Sequence, residues 1–419
     1  VSLLWGAYRA IAPCLGAVAP AAAWLASPHE RPLWRERMGE VALAGGCDAW
    51  VHAASLGEAA VVPPFLRELE RVRPGGRYYL TATSRTGRAR LAESGRPTSL
   101  APIDSPQATR RFLDGIRPAR VFLVETELWP HWLLRARALR IPVAVVSARL
   151  SERSVRRYVG LGAGLRGLVV GLAAVLCQGE ADQARWLAIG ADPARTRVVG
   201  NLKSDGLPRP AADRGAERGS LGLDPARPLL VLGSLRPGEA RLLARAWRAQ
   251  DENLRRTWQV VAVPRHPRAS SDLRAEAVAS GVEVVTIEPG GEAPAGAWRW
   301  DDRTGVLAGW YRAAELAFVG GSLTPFGGHN PLEPAACGVA VITGPHHASQ
   351  RDAVRALAAR GALAVAEGGA PLASTLARWL ADGGARAAAG AAALEVASEM
   401  RGAAARAVDA LVELGLWAS

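Results

Sequence analysis

A chain of 419 residues exceeds what one ordinary hydrophobic core organises, so two or three domains are expected. A hydrophobic share of 49% with 21% charged residues excludes an intrinsically disordered protein. The formal charge of +12 calls for a polyanionic partner or surface: nucleic acid, anionic lipid or a phosphorylated substrate.

Residues 1–27 carry one charge, Arg9, and their length could span a bilayer. Pro13 and Pro20 break that helix, however, and alanine makes much of it only weakly apolar. Nothing basic precedes Arg9, so the cationic start of a signal peptide is missing. Trp5, Trp24 and Trp34, with Arg31, Arg35 and Arg37 following, read as interfacial anchors. Residues 1–33 are therefore expected to anchor in or dock on an anionic membrane, with the body on its cytoplasmic side. A buried N-terminal helix is the competing reading.

From residue 49 onward, strand and helix patterns alternate. Strand-like runs fall at Ala49–Ala54, Tyr78–Thr83, Arg120–Val124, Val143–Ser147 and Ala173–Cys177. Helical patterns such as Phe65–Val72, Leu128–Leu139 and Ala181–Ile189 separate them, which is the rhythm of a parallel sheet covered on both faces. Proline, glycine and charge then interrupt the periodicity. A second series follows at Leu229–Leu232, Val260–Val263, Val282–Ile287, Leu316–Val319 and Val339–Thr343, and alanine-rich helices close the chain. The expected division is 34–205 as a first Rossmann-like domain, 206–228 as linker and 229–419 as a second. This pattern suits a GT-B glycosyltransferase, with two doubly wound α/β domains facing a central cleft, and a two-domain dehydrogenase equally.

Gly162–Gly167 matches GxGxxG, yet it follows no clean strand and lacks an acidic residue about 20 positions on, so it counts as chance. No GxxxxGK[ST] is present. The four cysteines contain no CxxC, which suggests neither zinc nor a disulfide scaffold. His329 and His346-His347 lack a carboxylate at ligand spacing, so no metal and no cofactor are expected. Scattered arginines without an aromatic stacking platform argue against nucleic acid.

Chemistry-bearing residues cluster where strands end. His52-Ala53-Ala54-Ser55-Leu56-Gly57-Glu58 ends the first strand. Ser55 and Glu58 are spaced as a capping box, and Glu58 is equally placed to take a proton from an attacking hydroxyl. Glu125-Thr126-Glu127-Leu128-Trp129-Pro130 closes another strand. Lys203, in a chain whose cations are almost all arginine, is either a solvated surface residue or a compact charge for a departing phosphate. Arg265, after a strand, could hold a phosphate by two parallel bonds. Within 316–348 a strand runs into Gly320-Gly321, then Gly327-Gly328, then Asn330-Pro331-Leu332-Glu333. Asn330 suits the N-cap, Pro331 the first helical position and Glu333 the third. Such a helix start either only caps or also offers N–H groups to a phosphate.

This last stretch closely resembles the signature of the Kdo transferases, which move 3-deoxy-D-manno-oct-2-ulosonic acid from CMP-Kdo onto the lipid A precursor. The likeness runs in family order from Trp34-Arg35-Glu36-Arg37 to Gly344-Pro345-His346. It implies a GT-B enzyme without a cofactor, with CMP-Kdo as donor and lipid IVA as acceptor, at the inner membrane of a Gram-negative bacterium. It further implies Glu58 as general base, with Glu125 and Lys203 stabilising the transition state. Pro264 and Arg265, together with Asn330, Pro331, Leu332 and Glu333, match family contacts to the cytidine nucleotide. Thr304-Gly305-Val306 aligns with a family M-G-E, so Val306 stands where a carboxylate is expected. Arg236 stands at a family His in Gly233–Glu239. Another GT-B enzyme using a UDP-sugar, or an inactive nucleotide-sugar binder, are the alternatives.

Overall fold

The protein is described by a computed structural model covering residues 5–8, 10–13, 27–286 and 294–418. It divides into two units: Val1–Gly206 with Met400–Ser419, and Leu207–Glu399.

The first unit is built on a seven-stranded sheet, ordered β3-β2-β1-β4-β5-β6-β7. Its strands are β1 Ala49–His52, β2 Tyr78–Ala82, β3 Thr98–Leu100, β4 Val121–Val124, β5 Val143–Ala148, β6 Ala174–Cys177 and β7 Thr196–Val198. Every pairing is parallel. Both faces are covered, which is why the strands read as continuous apolar runs instead of alternating ones. Trp50, Phe112, Trp132 and Trp186 fill one face. Phe65, Phe122 and Trp417 fill the other.

Trp417 comes from the far end of the chain, which corrects the expected second domain of 229–419. Ala403, Ala404, Ala407, Val408 and Leu411 form one apolar stripe of the helix Ala403–Glu413, buried in the core of the first unit. Asp205 fixes that helix by accepting the N–H groups of Gly402 and Ala404. Trp417 Nε1 donates to Leu69 O at 3.0 Å. Of the three tryptophans expected as interfacial anchors, Trp5 is buried in the core of the first unit. A Cβ at Gly164 would meet the Trp5 ring at 2.5 Å, so the GxGxxG match is a packing contact. Tyr8 donates its hydroxyl to Asp104 and stacks on His131. Trp24 lies outside the described residues, and among those described no helix is long and apolar enough to cross a membrane.

The second unit repeats the plan, with order β10-β11-β9-β8-β12-β13-β14. The strands are β8 Leu229–Leu235, β9 Gln259–Pro264, β10 Val284–Thr286, β11 Trp298–Trp300, β12 Leu316–Val319, β13 Ala340–Thr343 and β14 Leu363–Val365. The expected linker 206–228 is folded over much of its length. Asp213 caps a helix at Arg214–Ser220. Arg218 of that helix is buried and donates to Glu315 Oε1 at 2.6 Å and to Ala313 O at 3.1 Å. A buried guanidinium is stable only when paired in this way.

In both sheets the chain starts at a central strand, winds to one edge, then returns to build the other half. The strand order reverses between β1 and β4 in one unit and between β8 and β12 in the other. Ligands of doubly wound sheets bind in the crevice beyond the carboxyl ends of such strands.

Candidate active site

The reversal point of the first unit gathers carboxylates. Beyond β1, Ser55 caps the single turn Leu56–Ala59, its Oγ accepting the Glu58 N–H at 3.3 Å. The Glu58 carboxylate folds back. Oε1 accepts the Ser55 hydroxyl at 2.9 Å, and Oε2 accepts the Ala54 N–H at 2.8 Å. Glu58 thus closes the turn and presents a held carboxylate at its mouth. Burial raises its pKa above the usual glutamate range; the Ser55 and Ala54 hydrogen bonds oppose this, and the charges of Glu125 and Glu127 add to it. Such a shift moves a carboxylate towards the basicity that proton abstraction near neutral pH requires.

Glu125 follows β4 with φ 62, a left-handed conformation that costs a non-glycine residue energy and concentrates at functional sites. Its Oε1 accepts from Lys203 Nζ at 2.5 Å. Lys203 sits on the 3-10 turn Leu202–Gly206. The ammonium is therefore fixed by Glu125, neither loose on the surface nor without a partner.

His52, which carries no role in the sequence pattern, lies beside these carboxylates. It is fully buried, with Nδ1 2.9 Å from Thr81 Oγ1 and Nε2 3.6 Å from Glu127 Oε2. Trp129 Nε1 donates to the same Glu127 oxygen at 2.7 Å. Its apolar neighbours in sequence hid His52, since a buried strand residue carries no spacing signal of its own.

The second unit holds a cavity of about 420 Å³ at its own reversal point. Ser234, Arg265, His329, Asn330, Glu333 and Gln350 supply its polar side chains, and Gly305, Leu307, Ala308, Tyr311 and Val319 complete the lining. Four of the nine expected nucleotide contacts, Arg265, Gly305, Asn330 and Glu333, thus meet in one place. Pro264 is the buried end of β9. Thr304 and Val306 flank Gly305, and Val306 packs against the apolar cluster beneath.

The expected helix start at Asn330 needs correction. The helix is one turn, Leu332–Ala335, with Pro331 at its cap, and Gly338 at φ 70 turns the chain away soon after. Asn330 Oδ1 does accept the Leu332 N–H at 3.1 Å. Glu333 does not reach back to the cap backbone. Its carboxyl group is raised by burial, against the opposing pull of Arg265 and of a hydrogen bond with Asn330. One turn has little dipole, so a phosphate here depends on side chains instead.

Glu239, fully buried, joins two of the neighbouring loops. Its carboxylate accepts the N–H groups of Gly321 (2.7 Å), Ser322 (2.9 Å), Leu323 (2.9 Å) and Arg236 (2.9 Å), tying the loops after β8 and β12 together. A Cβ at Gly320 would lie 2.5 Å from Ser234 O, so this glycine serves the closeness of the two loops. The cavity is cationic. Burial first, then Arg265, Arg236 and His266, hold the His329 pKa down at about 4, so its imidazole is neutral near pH 7. Among the described residues, no three His, Cys, Asp or Glu side chains group to hold a metal.

The family signature described as 3-Deoxy-D-manno-octulosonic-acid transferase (kdotransferase) matches residues 33–206. A 3-deoxy-D-manno-octulosonic acid transferase of Bordetella pertussis is 38% identical over 75% of this chain and 74% of its own length. That of Chlamydophila psittaci is 31% identical over 75% and 73%. By fold, the chain resembles UDP-GlcNAc 2-epimerase from Neisseria meningitidis, with a TM-score of 0.60 at 13% identity over 87% of this chain and 99% of that one. Anabaena Alr3699/HepE gives a TM-score of 0.57 at 13% identity over 88% and 100%. These two likenesses identify a GT-B-like fold.

Proposed function

The chain belongs to the 3-deoxy-D-manno-octulosonic acid transferase family and is a glycosyltransferase of lipopolysaccharide synthesis, and on that premise we propose how its residues carry out the transfer. The donor is CMP-Kdo and the acceptor a hydroxyl of lipid IVA. Glu58 takes the proton of that hydroxyl as its oxygen attacks the anomeric carbon of Kdo. The bond from that carbon to the phosphate oxygen breaks, CMP leaves with the electron pair, and the configuration inverts. Lys203, held by Glu125, offsets charge developing on the leaving group. Arg265, Asn330 and Glu333 bind the nucleotide in the second unit. A monophosphate carries little enough charge for such a site to work without a metal, so EDTA is expected to leave turnover unchanged.

The observation that carries this reading is the Glu58 carboxylate, held by two hydrogen bonds at a strand-reversal point and raised in pKa. Its test is transfer from CMP-Kdo to lipid IVA by Glu58→Gln, together with the thermal shift given by CMP. Loss of transfer with an unchanged CMP shift supports the base role; near-normal turnover refutes it. A shift from UDP in place of CMP assigns a different donor. The acceptor is an anionic membrane lipid, and a chain of charge +12 is expected to bind the cytoplasmic membrane surface through its headgroups. Sedimentation with anionic but not zwitterionic vesicles, reversed by salt, tests this.

A further inference from the structure

The cavity of the second unit is surrounded by more positive charge than the transfer reading uses. Arg236 follows β8 at the position where the sequence likeness places a histidine. Its backbone is fixed independently of its side chain, since its N–H donates to Glu239 Oε2 at 2.9 Å. The guanidinium lies over the Phe326 ring, with Cζ 4.1 Å from the centroid. That stacking orients the plane and leaves the N–H edge available. Among the described residues Arg236 Nε is buried without a hydrogen-bond partner, and so is Nε2 of His329, which lines the cavity. The two side chains both lie beside Gly321. A Cβ at Gly321 would lie 3.0 Å from His329 Nε2 and 3.6 Å from Arg236 Cγ. Arg265 lines the same cavity. Glu239, the carboxylate bonded to the Arg236 backbone, is already occupied by four N–H groups. Buried nitrogens left unpaired in a cationic setting are the complement of an anion.

We propose that Arg236 is a second phosphate-binding residue of the donor site, acting with Arg265 on the phosphoryl oxygens, so that this chain recognises its donor mainly through the phosphate. The proposal rests on the cavity being the nucleotide site. Arg236 brings to this place a permanent planar cation carrying five N–H donors.

The experiment compares CMP with cytidine, which differ only in the phosphate, by calorimetric titration of the full chain and its variants. Arg236→Ala is expected to weaken CMP binding roughly ten- to a hundredfold, the loss of a charge-assisted hydrogen bond, while cytidine binding and the unliganded Tm stay as they were. Arg236→Lys is expected to recover part of the loss. Unchanged CMP binding in Arg236→Ala, or equal weakening of CMP and cytidine, overturns the assignment. If the unaltered chain binds CMP, the nucleotide reading survives either result. If it binds no CMP, that reading falls and this inference with it.

Discussion

The two reversal points share a topology and oppose each other in charge. In the first unit, the crevice beyond β1 and β4 collects Glu58, Glu125 and Glu127, with Lys203 bonded to one of them. In the second, the loops after β8, β9 and β12 collect the guanidinium groups of Arg236 and Arg265 around the neutral His329, with Glu333 the one carboxyl group in the cavity lining. Each crevice acts on its own members. Burial is the first cause in both; beyond it, the carboxylates add to the raised pKa of Glu58 and the guanidinium groups to the lowered pKa of His329. Each also holds a strained residue, Glu125 at φ 62 in one and Ser234 at φ 58 in the other. One sheet plan thus supplies two crevices, and a few turn residues decide that one gathers carboxylates and the other guanidinium groups.

The comparison breaks most visibly at Glu58. Replacing it with glutamine is expected to lower kcat by roughly 10²–10⁴-fold, the usual contribution of a general base, with CMP affinity unchanged. The next effect is on stability and belongs to the first unit alone. Trp417 is among the largest fully buried side chains, and Trp417→Ala is expected to cost about 3–5 kcal/mol in denaturant unfolding. CMP affinity of the folded variant should not move. A smaller effect lies at the cationic crevice, where Arg265→Ala is expected to weaken CMP binding roughly tenfold or more while leaving kcat at saturating donor less affected. Equal loss of kcat in the Arg265 and Glu58 variants would mean that the two crevices do not divide the work as proposed.

Much of this division was legible in the sequence because strand ends announce themselves. A buried apolar run stopping at Ser55-Leu56-Gly57-Glu58, at Glu125-Thr126-Glu127 or at Val263-Pro264-Arg265 marks a place where polar residues must face outward. Two short strands gave no such signal. Trp298–Trp300 and Leu363–Val365 have three residues each, too few for a period. The Arg214–Ser220 helix read as linker because its buried residue is an arginine, whose partner Glu315 lies far along the chain. The helix Ala403–Glu413 was legible as a helix but not as part of the first unit, since an alanine-rich stripe fits either sheet and only the Asp205 cap selects one. The helix start at Asn330 was overread: the cap residues are in place, but Gly338 leaves room for a single turn.

The smallest expected effect is the most specific to the carboxylate crevice. On the proposed base role Glu58 must be ionised to accept a proton, so kcat/KM is expected to fall as pH drops through its pKa. Because that pKa is raised, the acid limb is expected above the ordinary glutamate range. Burial is the largest cause and survives in variants, which limits what any neighbour can do. Glu125 contributes through its charge, and Glu125→Gln removes that charge while also freeing the Lys203 ammonium from its carboxylate. Both changes favour ionised Glu58, so the limb should move to lower pH beneath whatever loss of rate the variant shows. A pH profile of kcat/KM separates the two, because rate loss lowers the whole curve and a pKa change displaces its limb. A limb that stays in place would mean that Lys203, 2.5 Å from Glu125, already cancels its charge, leaving Glu127 as the carboxylate that acts on the base.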